Sequence, residues 1–354
     1  MAMAPGMVRF MRAWTSPAAR RFRVIPARMR PMRRLLPPMF IGLLLLAPGT
    51  VLAHGAEAPA PSFPSVLLEW RFDPMAIVPL VLVGGAYLWA VRRVDAAHPG
   101  NRHPAHRTWL FMSGLAAIAV ALVSPIEAYE GLLFSVHMVQ HMLLELVAAP
   151  LLLAGAPITL ALRVSSPRVR RRLLAVLQSR VVHVISFPVI AWVLFAAVNW
   201  GWHFSTLYDQ ALENDLLHYF QHATFLGAAL LFWWPAIGAD PSPWRLPHPM
   251  RLFYLFLAMP QNSFLGVALL QTATVLYPHY VTNGRAWGPS PLDDQHLGGV
   301  FMWVFGDMAF LAGMAIVVAL WVRHEERRTS RLDARLAADR AARGEGAWRP
   351  TPRS

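Results

Sequence analysis

Seven long apolar runs separated by short polar segments organise this chain. They fall at about 74–91, 108–123, 131–154, 181–200, 216–238, 251–273 and 297–322. A hydrocarbon core of ~30 Å takes about 20 helical residues to cross, so each run predicts a spanning helix, the first two being short. Continuous runs of this length do not match the alternation of a membrane barrel. The expected fold class is all-α: a polytopic membrane protein whose seven-transmembrane-helix bundle occupies 74–322 and follows an N-terminal signal peptide. The tail at 323–354 mixes Arg, Glu, Asp and Ala and reads as a short charged helix running into a disordered end.

The signal peptide rests on Arg33-Arg34, which precede an apolar stretch ending in Val51-Leu52-Ala53. A basic region, a short apolar region and small residues at the boundary mark such a segment. Residues 1–53 are therefore a basic n-region and signal peptide, with an uncleaved anchor as the alternative. Starting at Met29 would give a signal of ordinary length. Cleavage would leave His54 as the amino terminus, a weak chelate at best, ahead of an Ala/Pro-rich outer segment at 54–73.

Composition narrows the picture. Of 354 residues, 56% are hydrophobic and 14% charged, against roughly 25% charged in soluble domains. That excludes a soluble enzyme and a disordered chain. The net charge of +13 is not a nucleic-acid signature, because nine Arg and no acid lie within 1–53, leaving 23 Arg against 19 acids elsewhere. The partner surface is a lipid bilayer. With no Cys at all, disulfides, thiolate metal sites, iron–sulfur clusters and a cysteine nucleophile are excluded.

Arginine placement sets the orientation. One set of connections (92–107, 163–180, 239–251 and the tail) holds 21 Arg, and the opposite set holds Arg71 and Arg285 alone. By the positive-inside rule the tail is cytoplasmic and the mature amino terminus outside. The outer set also carries ten acids, among them Glu127, Glu130, Asp209, Asp293 and Asp294; these attract cations or merely solvate the surface.

On that topology seven of the 14 histidines gather at outer span ends or in outer loops: His137, His141, His203, His218, His222, His279 and His296. Four form two His-x-x-x-His pairs, His137/His141 in span three and His218/His222 in span five. Residues four apart share a helix face, and polar groups in a membrane turn toward the protein interior. The two pairs therefore face each other across a bundle, with His203 (span four) and His296 (span seven) within reach. Imidazole suits copper, zinc, iron and nickel, and thioether sulfur favours Cu(I). Met138 and Met142 lie about 100° around the helix from the pair and face a different partner. The competing reading is a set of histidines that hydrogen-bond each other, Gln140 and Gln221 to fix helix packing.

Further intramembrane candidates are Glu145, which extends the stripe His137–His141–Glu145, and Asp307, deep in span seven. Each is a cation or proton site, or a buried hydrogen-bonding group. Met259-Pro260 and Asn262 break span six, which would expose backbone carbonyls. Met302 is a further soft ligand.

These motifs resemble a known family. His137-Met-Val-Gln-His141 followed by Ala149-Pro150 and Ala156-Pro157, then Asn199-x-x-Trp202-His203 with Tyr208-Asp209, are similar to the bacterial cytochrome c oxidase assembly factors called CtaG. So are His218-x-x-x-His222 leading to Trp233-Trp234-Pro235, Met259-Pro260 with Gly266, and Asp294-Gln295-His296 with Met302-Trp303. The resemblance covers about 66–322. It implies a seven-helix bacterial plasma (inner) membrane protein that helps mature haem–copper oxidase by handling copper for the oxidase metal centres. The reading built on it is an outward-facing histidine cluster that binds Cu(I), or Cu(II) before reduction, with the oxidase subunits as clients and a periplasmic copper donor as a further partner. The family is distinct from the single-span, Cys-bearing chaperones of the same name. The expected ligands are His137, His141, His218 and His222, with His203 as a fifth, in a partly open site that permits exchange. No nucleophile–base pair or phosphate loop appears, so no turnover is expected. A metal-ion transporter using Glu145 and Asp307, a haem-binding membrane redox protein and a plain scaffold are the alternatives.

Overall fold

The computed structural model of this chain describes residues 60, 62, 68–283 and 285–343. The expected signal peptide, most of the Ala/Pro-rich segment and the end of the tail lie outside these residues. The described chain is all helical, without a strand. Helices α1 (Pro74–Ala97) and α2 (Ala105–Val123) are followed by a short α3 (Pro125–Tyr129) and by α4 (Phe134–Met142). A π-helical turn, Leu143–Ala148, joins α4 to α5 (Ala149–Ala154). Then come α6 (Pro157–Val164), α7 (Pro167–Leu177), α8 (Arg180–Ile185), α9 (Pro188–His203) and α10 (Leu207–Glu213). The chain ends with α11 (Asp215–Ile237), α12 (His248–Leu270), α13 (His279–Thr282) and α14 (Pro291–Ala342).

The helix starts are written in the sequence. Proline, whose missing N–H is an orphan at the first turn, opens α1, α3, α6, α7 and α9. Asp73, Ser124, Ser166, Ser179 and Asn214 accept a backbone N–H as N-caps. Two caps come from distant sequence. Asp294 of α14 accepts the Phe134 N–H at 2.7 Å and the Ser135 hydroxyl at 2.6 Å, and so ties the start of α4 to the start of α14. Asp240 does the same for α6 through the Ile158 and Thr159 N–H groups.

Among the described residues, five helices are long and apolar enough to cross a membrane: Pro74–Ala97, Ala105–Tyr129, Phe134–Val164, His248–Leu270 and Pro291–Arg340. The other two expected runs are helical but differ from them. Span four is divided into α8 and a 16-residue α9. The long α11 carries His218, Gln221 and His222 and turns much of its surface to its neighbours. Large apolar side chains such as Leu82, Trp109, Val189, Phe264 and Ile316 stay exposed on the outside of the helices. Such a surface needs a lipid solvent, and the chain is a membrane protein.

Packing is tightest where side chains are absent. A Cβ on Gly266 would lie 2.7 Å from the Gly299 oxygen, and one on Gly299 would lie 2.7 Å from the Gly266 oxygen. The backbones of α12 and α14 are therefore in contact, as small residues allow in membrane helices. Elsewhere aromatic rings fill the bundle: Phe195, Phe232 and Tyr254 stack in sequence at 4.6 and 4.9 Å, with Trp233 against Phe310.

One expectation about the helices is corrected. Pro260 does not break span six: α12 runs through it from His248 to Leu270. Asn262 donates across to the Met302 carbonyl of α14, and the Ser263 hydroxyl is shared between the Met259 carbonyl and Asp307. The charged tail is helical as far as Ala342, as expected, and it is the continuation of α14, which runs for 52 residues.

Candidate metal centre

The histidines sit where α4 and α11 begin and α9 ends. His137 and His141 stand one turn apart with ring centroids 4.3 Å apart, and His218 and His222 repeat the arrangement at 4.3 Å. Across the bundle His137 meets His218 at 5.2 Å and His141 meets His222 at 5.5 Å. His203 completes the group, 6.4 Å from His141. All five are buried, and the Tyr208 ring packs against His137, His141 and His203.

His137, His218 and His222 each bring a ligating nitrogen within 4.8 Å of the others. The Nε2 atoms of His137 and His218 are 3.4 Å apart. Two metal–nitrogen bonds of about 2.0–2.1 Å would span that gap at an angle of about 110°. That pair therefore has the spacing of two ligands on one trigonal or tetrahedral ion, and His222 is the third imidazole of the group.

Surrounding groups orient the rings, as the supports of metal-binding imidazoles do. Tyr280 donates its hydroxyl to the Glu130 carbonyl at 3.1 Å, so its lone pair accepts from Nδ1–H of His137, also at 3.1 Å. That tautomer, assigned from these partners, leaves His137 Nε2 as a lone pair facing His218. Burial, reinforced by the Glu130 charge, holds the Tyr280 hydroxyl well above its ordinary pKa. Glu130 Oε2 lies 3.3 Å from His137 Nδ1 and 3.8 Å from His218 Nε2. Burial pushes the Glu130 carboxyl up to about 8, with Arg71 pulling it down. Gln140 donates to the Ala121 carbonyl and to Glu127, which turns its oxygen to accept from Nε2–H of His222 at 3.2 Å.

His141 differs: neither of its buried ring nitrogens has a hydrogen-bond partner. It lines a small cavity with His203, Met138, Met142, Met302 and Glu145. Asn199 donates to Glu145 Oε2 at 2.9 Å, and Trp233 donates to the Glu145 carbonyl.

Other candidates lie apart. His296 reaches the Thr272 carbonyl at 2.9 Å. Asp307 accepts from Ser263 at 2.7 Å, and its second oxygen is buried without a partner. Met259 packs against the apolar core and accepts from Ser263 through its carbonyl, and Asn262 borders the cavity while bonding Met302. The expectation of a partly open site is corrected: His137, His218 and His222 are only 0%, 4% and 7% exposed, because Tyr208, Tyr280 and Glu130 close over them. Sequence reasoning named Glu130 only as one of the outer acids and Tyr208 only within a motif, and passed over Tyr280, since single residues in short connections carry no periodic signal.

Residues 85–324, which include all five histidines, match the family model described as cytochrome c oxidase caa3 assembly factor. Uncharacterised proteins of Mycobacterium bovis and Mycobacterium tuberculosis are each 36% identical over 299 residues, covering 81% of this chain and 44% of the relative. One from Mycobacterium leprae is 32% identical over 290 residues, covering 79% and 43%. The chain thus spans less than half the length of these curated relatives. No solved structure matches it.

Proposed function

We propose that this chain, which belongs to the family of cytochrome c oxidase caa3 assembly factors, aids oxidase assembly by holding a copper ion as cargo and passing it to an oxidase subunit. The convergence of His137, His218 and His222 within 4.8 Å carries this reading. Three neutral imidazoles bind Cu(I) or Cu(II) without fixing one geometry, and an ion held by three exchangeable nitrogens leaves by stepwise ligand replacement. His137 is positioned for this by Tyr280 and Glu130, and His222 by Gln140. The same groups exclude water, so loading and release require the segments around Glu130 and Tyr280 to open. By the placement of arginine the cluster faces outward, toward a periplasmic donor.

The haem alternative fits poorly, because the five rings pack with centroids 4.3–6.4 Å apart and no slot for a macrocycle separates them. The transporter alternative needs a continuous path to Asp307, whose partner is Ser263 on α12 and not the histidine group. The scaffold alternative leaves unexplained why His141 is buried without a partner.

The test is metal content by mass spectrometry on detergent-purified protein after anaerobic Cu(I) loading, beside H137A/H218A/H222A. Copper bound by the first and lost from the triad in a still-helical variant, with loss of oxidase maturation in cells carrying that variant, supports the reading. Equal copper in both, or intact maturation, overturns it.

A further inference from the structure

The five histidines divide into two groups of different chemistry, and the second faces sulfur. Asn199 places its carbonyl oxygen 2.7 Å from His203 Nδ1. A lone pair cannot face a carbonyl at that distance, so Nδ1 carries the proton. In the neutral ring Nε2 is then a bare lone pair, and it points at Met138 Sδ, 3.4 Å away. Two electron-pair donors facing each other make no hydrogen bond. They are the arrangement that a cation closes.

The same small cavity is lined by His141, Met142 and Met302, and His141 has both ring nitrogens unpartnered while being 3% exposed. Bonds of about 2.0 Å to nitrogen and about 2.3 Å to sulfur together exceed the 3.4 Å gap, so one ion bridges His203 and Met138 at a bent angle of about 105°. Thioether sulfur selects soft monovalent ions over zinc and other divalent cations. His137, His218 and His222 offer nitrogen only.

We propose a second, soft-cation site formed by His203, Met138 and His141, with Met142 and Met302 at its edge, that takes Cu(I) from the imidazole triad. It rests on the proposed function only for the source of the ion; its own ligands are different. Transfer is ligand exchange with no change of oxidation state: the Cu–N bonds to His137, His218 and His222 break one after another as bonds to His141, His203 and Met138 form. His141, 5.5 Å from His222 and 6.4 Å from His203 by ring centroid, stands between the two. Glu145 and Asn199, hydrogen-bonded to each other, also line the cavity.

The experiment loads the full chain, in detergent, with Cu(I) under anaerobic conditions. It reads copper per chain and the sulfur shell in copper-edge X-ray absorption. The wild type should hold two copper ions, with a sulfur neighbour at about 2.3 Å. M138L/M142L/M302L, which conserves volume, should hold one and lose the sulfur shell; H203A, a second route to the same loss, should do likewise. Zn(II) loading should give one ion in both the wild type and the leucine variant. In H137A/H218A/H222A one sulfur-bound copper should remain, so the second site stands even where the triad reading fails. An all-nitrogen spectrum in the wild type, or a sulfur shell persisting in the leucine variant with helicity intact, overturns the proposal.

Discussion

Glu130 Oε2 lies 3.3 Å from Nδ1 of His137, the nitrogen that points away from the histidine triad. A carboxyl group behind an imidazole sets which nitrogen keeps the proton and makes the opposite one a better ligand. Glu130 is 2% exposed and belongs to the connection between α3 and α4, so it lies outside the spanning helices and inside the protein. Replacing it should weaken the site without removing a ligand. For E130Q we expect unchanged copper stoichiometry and affinity lower by about 10–100-fold. Competition titration against a Cu(I) chelator measures this, and an unchanged affinity would mean that Tyr280 alone orients His137.

The contact between Gly266 and Gly299 sets the spacing of α12 and α14. A methyl group at either position meets backbone oxygen at 2.7 Å, and backbone cannot rotate away. G266A and G299A should each lose about 1–3 kcal/mol or more, as overpacked cores do. They should melt at lower temperature in detergent. G201A, where an added Cβ meets nothing within 4 Å, is the control and should melt no lower than the wild type, since alanine favours a helix. Equal melting of all three would show that the two helices part freely.

The histidine pairs were legible in the sequence because four-residue spacing fixes a shared face whatever the helix packs against. That the pairs face each other followed from the cost of turning imidazoles to lipid; which rings meet, and that His203 joins them while His296 does not, was not legible, since spacing does not fix how the helices rotate. Met138 was placed away from its neighbouring histidines by helix geometry alone; that its partner is His203, 65 residues on, depends on the end of α9. The proline at 260 misled because α12 runs through it without a break, as membrane helices tolerate. The π turn at Leu143–Ala148 left no mark in the apolar pattern. The span count was less secure than the runs themselves, because the histidines and glutamine that furnish the site make α11 less apolar.

At the opposite end of α1, His103 is 5% exposed, its Nε2 3.0 Å from the Tyr87 hydroxyl, which donates to the Gly155 carbonyl at 2.8 Å. Burial first, then Arg107 and Arg163, hold the His103 pKa below its ordinary value. The folded state thus takes up a proton less readily than the unfolded one. Its contribution is present above the unfolded pKa of about 6.5 and is lost as pH falls from there toward the lower folded value. The wild type should lose more melting temperature than H103Q between pH 7.5 and pH 5.5. Parallel curves would show that His103 makes no such contribution.

His296 separates the two ways of choosing ligands. Its position at the start of α14 made it a candidate by depth and by motif, yet its Nε2 lies 2.9 Å from the Thr272 carbonyl. An imidazole N–H donating there ties α14 to the segment after α12, next to Gln295, which accepts the Leu276 N–H at 2.7 Å and donates to Thr272. Removing the ring should cost the net worth of one such bond, about 0.5–1.5 kcal/mol, and lower the melting temperature slightly. It should leave copper stoichiometry and affinity as in the wild type, whereas H218A should lose the triad ion. The two variants purified side by side and loaded with Cu(I) decide the matter. A copper deficit in H296A as large as that in H218A would place the ion nearer α14 than the triad geometry allows.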